Sequence, residues 1–256
     1  MNITLVLLTK NEIHGLRTTF ERIPFHAVDE AFAVDGGSTD GTLEFFTQRH
    51  LRVLPQRSAG RGEAFRLAMA QAKGDAVIFF SPDGNEDPDD IPTFRQRLEQ
   101  GNDLVIASRM MAGAHNEEDE LRFPWRKWAN HVLNWMANMT WNRGPFISDT
   151  INGFRAITKT AWQRLALDGP GYTIEYQSSI RAMKLGLRVV EFPTYEAPRI
   201  GPGGSPSLST GWTFLKLYVK EARLGRRVAP QAPPAQSPPL NTIDQQATHV
   251  LEKVVR

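Results

Sequence analysis

The chain has 256 residues, 41% of them hydrophobic, enough to bury a sizeable core within one large domain. It contains no cysteine, which excludes a disulfide framework and a thiolate metal site and predicts a reducing, cytoplasmic compartment. The net charge is only +2 and the basic residues cluster only locally, which excludes a nucleic-acid footprint.

The first apolar run, ITLVLLTKNE, predicts a strand ending at residues 9–12, with no signal-peptide pattern before it. A second run, AFAV, ends at Asp35 and opens the loop DGGSTDGT. Residues 61–73 predict one helix, and the run AVIFF then ends before SPDGNEDPDD. With LVIASR at 104–109 the pattern alternates strand and helix, as in a βαβ series. The composition changes at AGAHNEEDE, a polar acidic loop, and FPWRKWANHVLNWMANMTW follows with aromatic and aliphatic residues at helical spacing, predicting a long amphipathic helix. DTINGFRAIT and LRVVEFPTYEAPR predict two more strands, separated by a helix over 176–185 that ends at Gly186. Residues 212–227 are basic on one side and apolar on another, suited either to an anionic membrane surface or to packing on the domain. No apolar stretch reaches membrane-spanning length, so any membrane contact is expected to be peripheral. The folded domain is predicted over 1–228. The Pro-rich run from 229 to 239 predicts a flexible tail, followed by a short terminal helix within 229–256.

Two acidic loops that each follow an apolar run should leave one edge of a single sheet. Ligands of open α/β sheets bind outside the carboxyl ends of the strands, so Asp35 and Asp83 are expected to share a cleft suited to a nucleotide diphosphate. Around Asp35, Gly36, Gly37 and Gly41 let the backbone approach a ligand, while the carboxylate would accept hydrogen bonds from a ribose or base edge. A plain helix start after a strand is the competing reading of that octapeptide. The second loop is either a solvated acidic turn or a source of oxygen ligands for a hard divalent cation beside that diphosphate.

Residues 9–12 (Thr9-Lys10-Asn11-Glu12), the Asp35 loop, Arg61-Gly62-Glu63-Ala64, Lys73-Gly74-Asp75 and the Asp83 loop, taken in order, resemble the GT-A-type glycosyltransferases of family two, and among these the dolichol-phosphate mannose synthase group. The resemblance implies an α/β fold of GT-A type, a mixed, mostly parallel sheet flanked by helices, and transfer of a sugar from a nucleotide diphosphate donor with inversion. It also implies nucleotide contacts from Thr9, Asn11, Glu12, Asp35 and Arg61. The family writes its metal loop Asp-x-Asp-x-Gln, which places Ser81 at the first acid, Asp83 at the second and Asn85 at the amide. Asp83 and Asn85 would then hold Mg²⁺ or Mn²⁺, with Asp83 as the catalytic carboxylate and Glu86 and Asp87 near enough to compensate for the missing acid. Four arginines match phosphate or acceptor contacts: Arg109, Arg126, Arg155 and Arg199, of which Arg109 and Arg155 match best. The acceptor motifs depart from the family, whose Arg-x-x-x-Ser-Arg reads Arg126-Lys127-Trp128-Ala129-Asn130-His131 and whose Gly-x-Ser-Lys reads GPGGSPS. The implied acceptor is a polyprenyl or dolichyl phosphate at the inner face of the membrane. Two alternatives stay open: transfer to a saccharide hydroxyl with Asp83, Glu86 or Asp87 as base, and a sugar-nucleotide-binding protein without turnover.

Overall fold

The computed structural model describes residues 1–201 and 207–228. The expected Pro-rich tail and terminal helix, and most of the GPGGSPS segment, lie outside the described residues.

Seven strands form one sheet: β1 (Ile3–Thr9), β2 (Glu30–Asp35), β3 (Val53–Pro55), β4 (Ala76–Phe80), β5 (Leu104–Ser108), β6 (Arg155–Thr158) and β7 (Val189–Pro193). Their spatial order is β3-β2-β1-β4-β6-β5-β7. Only β6 runs against its neighbours, so the sheet is mixed and mostly parallel, as expected. The central strands β1, β4 and β5 are buried along their whole length, which is why they read as continuous apolar runs without alternation.

Helices α1 (Ile13–Thr19), α2 (Thr42–Gln48) and α4 (Ile91–Glu99) cover one face of the sheet, over Ile3, Leu5, Leu7, Ile78 and Phe80. The other face, with Val6, Leu8, Val77 and Phe79, packs on α3 (Arg61–Gln71), α6 (Lys159–Leu165) and α7 (Thr173–Leu185). Successive residues of β1 and β4 therefore serve opposite cores, the period-two rule of a strand. Two further helices, α5 (Trp125–Trp141) and α8 (Ser207–Arg223), lie over α7. α7 ends where the sequence predicts: Gly186 takes a left-handed φ of 60°, and the Leu187 amide donates to the Ala182 carbonyl at 3.0 Å.

One element differs from expectation. DTINGFRAIT is strand only from Arg155; the preceding residues turn because the Asp149 carboxylate accepts the Asn152 amide and the Asn152 side chain donates to the Ala107 carbonyl. The apolar side of the segment 212–227 packs on the domain through Phe214 and Leu217. Glu221, fully buried, locks α8 there by accepting Arg181 and Lys184 of α7 at 2.9 and 2.6 Å.

Candidate active site

The loops leaving β1, β2 and β4 meet at the carboxyl edge of the sheet, and side chains lace the first two together. Asn11, held at φ 59°, accepts the Thr39 amide through its side-chain oxygen, while its own amide donates to the Ser38 hydroxyl. The Ile13 amide, at the start of α1, donates to Asp40 at 3.0 Å, and the Glu12 amide donates to Thr42 at 3.1 Å. Asp35 is buried and its two oxygens accept four hydrogen bonds, from the Thr9 hydroxyl, the amides of Gly37 and Ser38, and the Ser38 hydroxyl.

In this structure Thr9 and Asp35 hold the loop, each Asp35 oxygen accepting two hydrogen bonds from within the protein. Asn11 fixes the same turn from the exposed side.

The β4 loop opens onto a cleft of about 490 Å³ that Arg61, Ser81, Asp83, Asn85, Arg109, Arg126 and Arg199 all line. Gly15 in α1 sets the loop's height: a Cβ there would lie 2.3 Å from the Pro82 carbonyl oxygen and 2.6 Å from Asp83 Cα, so any side chain would push the acidic loop into the cleft. Asp83 accepts the Asn85 amide at 3.1 Å and Arg199 at 2.8 Å. Arg199 bridges to Glu12, which joins the β1 loop to the site. Asn85 donates from its side-chain nitrogen to the Ala197 carbonyl at 2.6 Å, leaving its oxygen for coordination. Ser81 accepts Arg61 at 3.2 Å, and Arg61 pairs with buried Glu175.

Three carboxyls here stand above their ordinary range, all chiefly because of burial. Glu86 is pushed up to about 8, against the opposing charge of Arg61. Glu12 is pushed up to about 7, against Arg199, and Asp83 is raised as well. The cost of burying these carboxyls thus outweighs the opposing charge of Arg61 and Arg199. Among the described residues no three acids or histidines form a preformed metal cage. Asp83 and Asn85 fit instead a cation that takes one or two protein oxygens and completes its shell with diphosphate and water.

On the opposite wall, Arg109 grips Asp149 with two nitrogens at 2.7 and 3.0 Å and reaches Glu196 at 2.8 Å. Burial opposes ionisation of Asp149, yet the Arg109 charge and hydrogen bonds hold its carboxyl below the usual range. Arg126, half exposed, pairs with Glu117 and Glu118. Five cations and six acids line the cleft, and each of those cations has a carboxylate partner.

Arg155 is corrected outright. It is fully buried beneath the cleft, donating to the carbonyls of Thr150, Asn152 and Glu175 and to Ser178. Burial lowers its guanidinium to about 10, and its role is to hold the turn before β6 against α7. Sequence reasoning missed the acidic partners Asp149, Glu175 and Glu196. It also missed Gly153, where a Cβ would collide with the Arg61 guanidinium. The signal for Asp149 and Gly153 was present as the polar run DTING inside a supposed strand, which a buried central strand would not carry; Glu175 and Glu196 carried none.

The chain matches the profile of Glycosyl transferase family 2 over residues 4–164. It is 30% identical over 203 residues to glycosyltransferase AglJ of Haloferax volcanii, covering 74% of this chain and 63% of that protein. It is also 30% identical over 244 residues to polyprenol monophosphomannose synthase of Mycolicibacterium smegmatis, covering 88% of this chain and 87% of the relative. In fold it resembles the crystal structure of glucosyl-3-phosphoglycerate synthase from Mycobacterium tuberculosis in complex with Mn²⁺ and uridine-diphosphate-glucose, with a TM-score of 0.65 and 21% identity over 90% of this chain and 80% of that one. The mixed sheet with its acidic cleft is thus the GT-A architecture, and the chain belongs to glycosyl transferase family 2.

Proposed function

We propose that residues 1–228 form one catalytic domain that transfers a sugar, with inversion, from a nucleotide diphosphate to the phosphate of a polyprenyl lipid at the inner face of the membrane. The observation that carries this reading is the single cleft in which the Asp83 loop faces Arg109 and Arg126. Similarity to a polyprenol monophosphomannose synthase over most of both chains supports the acceptor class. Among the described residues no helix is long and apolar enough to cross a membrane, so the lipid would be met at a surface.

In this scheme an acceptor phosphate oxygen forms the new bond to the anomeric carbon as the bond from that carbon to the diphosphate oxygen breaks. The electron pair leaves with the nucleotide diphosphate. The acceptor oxygen is already anionic, so no side chain need remove a proton. Asp83 and Asn85 would hold Mg²⁺ or Mn²⁺, which when bound neutralises charge developing on the leaving diphosphate. Arg61 and Arg199 supply fixed positive charge beside that group. Arg109 and Arg126 would orient the acceptor phosphate, exchanging part of their carboxylate pairing for it.

That same pairing favours a second reading, transfer to a saccharide hydroxyl. A cleft whose cations are already neutralised suits a neutral acceptor, and Glu117, raised mainly by burial, would serve as a base. Incubating the protein with Mn²⁺, a panel of nucleotide sugars and either a short-chain polyprenyl phosphate or oligosaccharides separates the two. Glycosylated lipid phosphate is expected. Turnover only on the oligosaccharides, or donor binding without turnover, overturns the proposal.

A further inference from the structure

A second cavity, of about 640 Å³, lies between the turn that follows α5, the end of α7 and the start of β7. Chain direction puts it at the edge of the sheet away from the cleft: Asn102 borders it just before β5, whereas Arg109 enters the cleft just after that strand. α7 likewise brings Glu175 to the cleft and reaches this cavity only at Met183, about 12 Å farther along the helix axis. Side chains hold the walls. Buried Asn138 grips the turn after α5, donating to the Ile147 carbonyl and accepting the Ile147 amide, each at 2.9 Å. The Asn142 side chain donates to the Pro145 carbonyl at 2.7 Å and accepts the Gly144 amide at 3.0 Å, which fixes the short turn carrying Arg143. Opposite, Gly101 at φ 84° makes room for Arg188, since a Cβ there would lie 3.0 Å from Nη1 of its guanidinium.

Among the described residues four cations line this cavity and no acid does. Lys184 is engaged by buried Glu221 at 2.6 Å. Arg143, Arg188 and Arg226 are exposed and have no carboxylate partner among the described residues; Asp103 accepts the Arg188 backbone amide at 2.9 Å, not its guanidinium. Arg226 gives one N–H to the Trp141 carbonyl at the end of α5, at 3.3 Å, and Arg188 one to the Gln100 carbonyl at 3.2 Å. Holding helix ends therefore uses a small part of each guanidinium fork. The cleft is the contrast, because each of its cations has a carboxylate partner. An anion entering the cleft must displace carboxylates, whereas here it meets guanidinium groups that no carboxylate compensates. Three planar forks around one cavity suit a ligand with several phosphate oxygens. None of the exposed large apolar side chains lines the cavity, which favours a soluble ligand over a headgroup carried on a lipid chain.

We infer that this cavity is a second binding site, taking a soluble oligophosphate of two or more phosphoryl groups whose oxygens Arg143, Arg188 and Arg226 hold. The site stands apart from the cleft and does not depend on the transfer proposed for it. The full chain, in EDTA, is titrated calorimetrically with sodium tripolyphosphate. Wild type is expected to bind it at least about tenfold more tightly than inorganic phosphate, since more guanidinium groups are engaged at once. Arg143→Gln, which breaks no ion pair in the fold, should lose about tenfold in affinity, and Arg143→Gln with Arg226→Gln about 100-fold. Both should keep the thermal midpoint of the ligand-free protein, while tripolyphosphate should raise that midpoint in wild type and less in the variants. Arg126→Gln with Lys127→Gln, on the wall of the cleft, should bind tripolyphosphate as wild type does. Equal binding by wild type and Arg143→Gln overturns the proposal. So does loss of binding in the cleft pair but not in Arg143→Gln, which would put the anion in the cleft. Equal affinity for phosphate and tripolyphosphate overturns the ligand class. A lowered thermal midpoint in the double variant, with no tripolyphosphate binding by wild type, would reduce these arginines to caps of helix ends.

Discussion

The loops after β1 and β2 are held by hydrogen bonds to each other, whereas the charged side chains lining the cleft, Arg109 above all, are held by ion pairs between residues far apart in the chain. Asp35 satisfies its oxygens within its own loop and from the adjoining strand end. Arg109 instead reaches Asp149 and Glu196, 40 and 87 residues away. A region of the first kind is shaped before ligand arrives and changes little on binding. A region of the second kind keeps its cations compensated, and an incoming phosphate must compete with carboxylates for them. The first favours a fixed donor geometry, and the second makes acceptor selection depend on how readily each pair opens.

Breaking the cleft at the Asp83 loop should have the largest effect. Asp83→Asn is expected to lower transfer by at least about 100-fold, because the leaving diphosphate loses its main cation ligand. Ser81→Asp should move the other way, preserving or increasing turnover and lowering the Mn²⁺ concentration for half-maximal rate. A Mn²⁺ titration of both variants checks the pair, and unchanged metal-dependent activity in Asp83→Asn would remove the loop from the chemistry.

Arg155 and Arg126 sharpen the comparison, since both were expected at the acceptor and only one lines the cleft. Arg155→Met leaves the carbonyls of Thr150, Asn152 and Glu175 without their donor and should cost about 3 kcal/mol in urea unfolding. Arg126→Ala should change stability by no more than about 1 kcal/mol, because its guanidinium is half exposed and buried Glu118 keeps the Lys127 amide, while raising the acceptor KM about tenfold. Equal stability of the two variants would return Arg155 to the site.

Asp35→Ala tests whether the donor loop is built before ligand binds. Removing the carboxylate strands the amides of Gly37 and Ser38, and a loss of about 2 kcal/mol is expected together with weaker donor binding. Weakened binding at unchanged stability would show that the carboxylate faces ligand after all.

The smallest effect is a pH dependence. Glu86 near 8 and Glu12 near 7 keep protons in the folded state that the unfolded chain releases above its ordinary carboxyl range. The folded state therefore binds more protons, and stability should fall as pH rises from about 5 to about 8. Urea midpoints across that window should decline in wild type and decline less in Glu86→Gln.

The donor half was legible because each of its parts is a local pattern: an apolar run, a strand end, a glycine or acid at a set distance after it. The position of Asp83 follows from that register, while those of Asn85 and Arg61 follow from the resemblance to family two. Internal use of Asp35 was not legible, since a loop that binds ligand and a loop that binds itself need the same acids and glycines. On the acceptor side, matching single arginines to positions failed for Arg155, because burial depends on α7, which covers it from a distant part of the chain. Glu175 and Glu196 were hidden for a related reason: an ion pair has no sequence signature when its partners lie on separate elements.

The reversed strand β6 has a consequence for how such a protein can diversify. Because β6 pairs with β5, Ile106 stands beside Arg155, and the Ala107 amide meets the Phe154 carbonyl at 3.1 Å. Residues 109–153 therefore leave and rejoin the sheet at adjacent points, forming an excursion closed at its base. Its length can change at small entropic cost, since closure grows only logarithmically with the number of residues enclosed. Within it lie α5, the Glu117 and Glu118 clamp and the Asp149 turn, while β1 to β4 and their loops lie wholly outside. Under the proposed function, acceptor choice would be carried on an exchangeable cassette, and the machinery that handles the donor could pass unchanged from one relative to another.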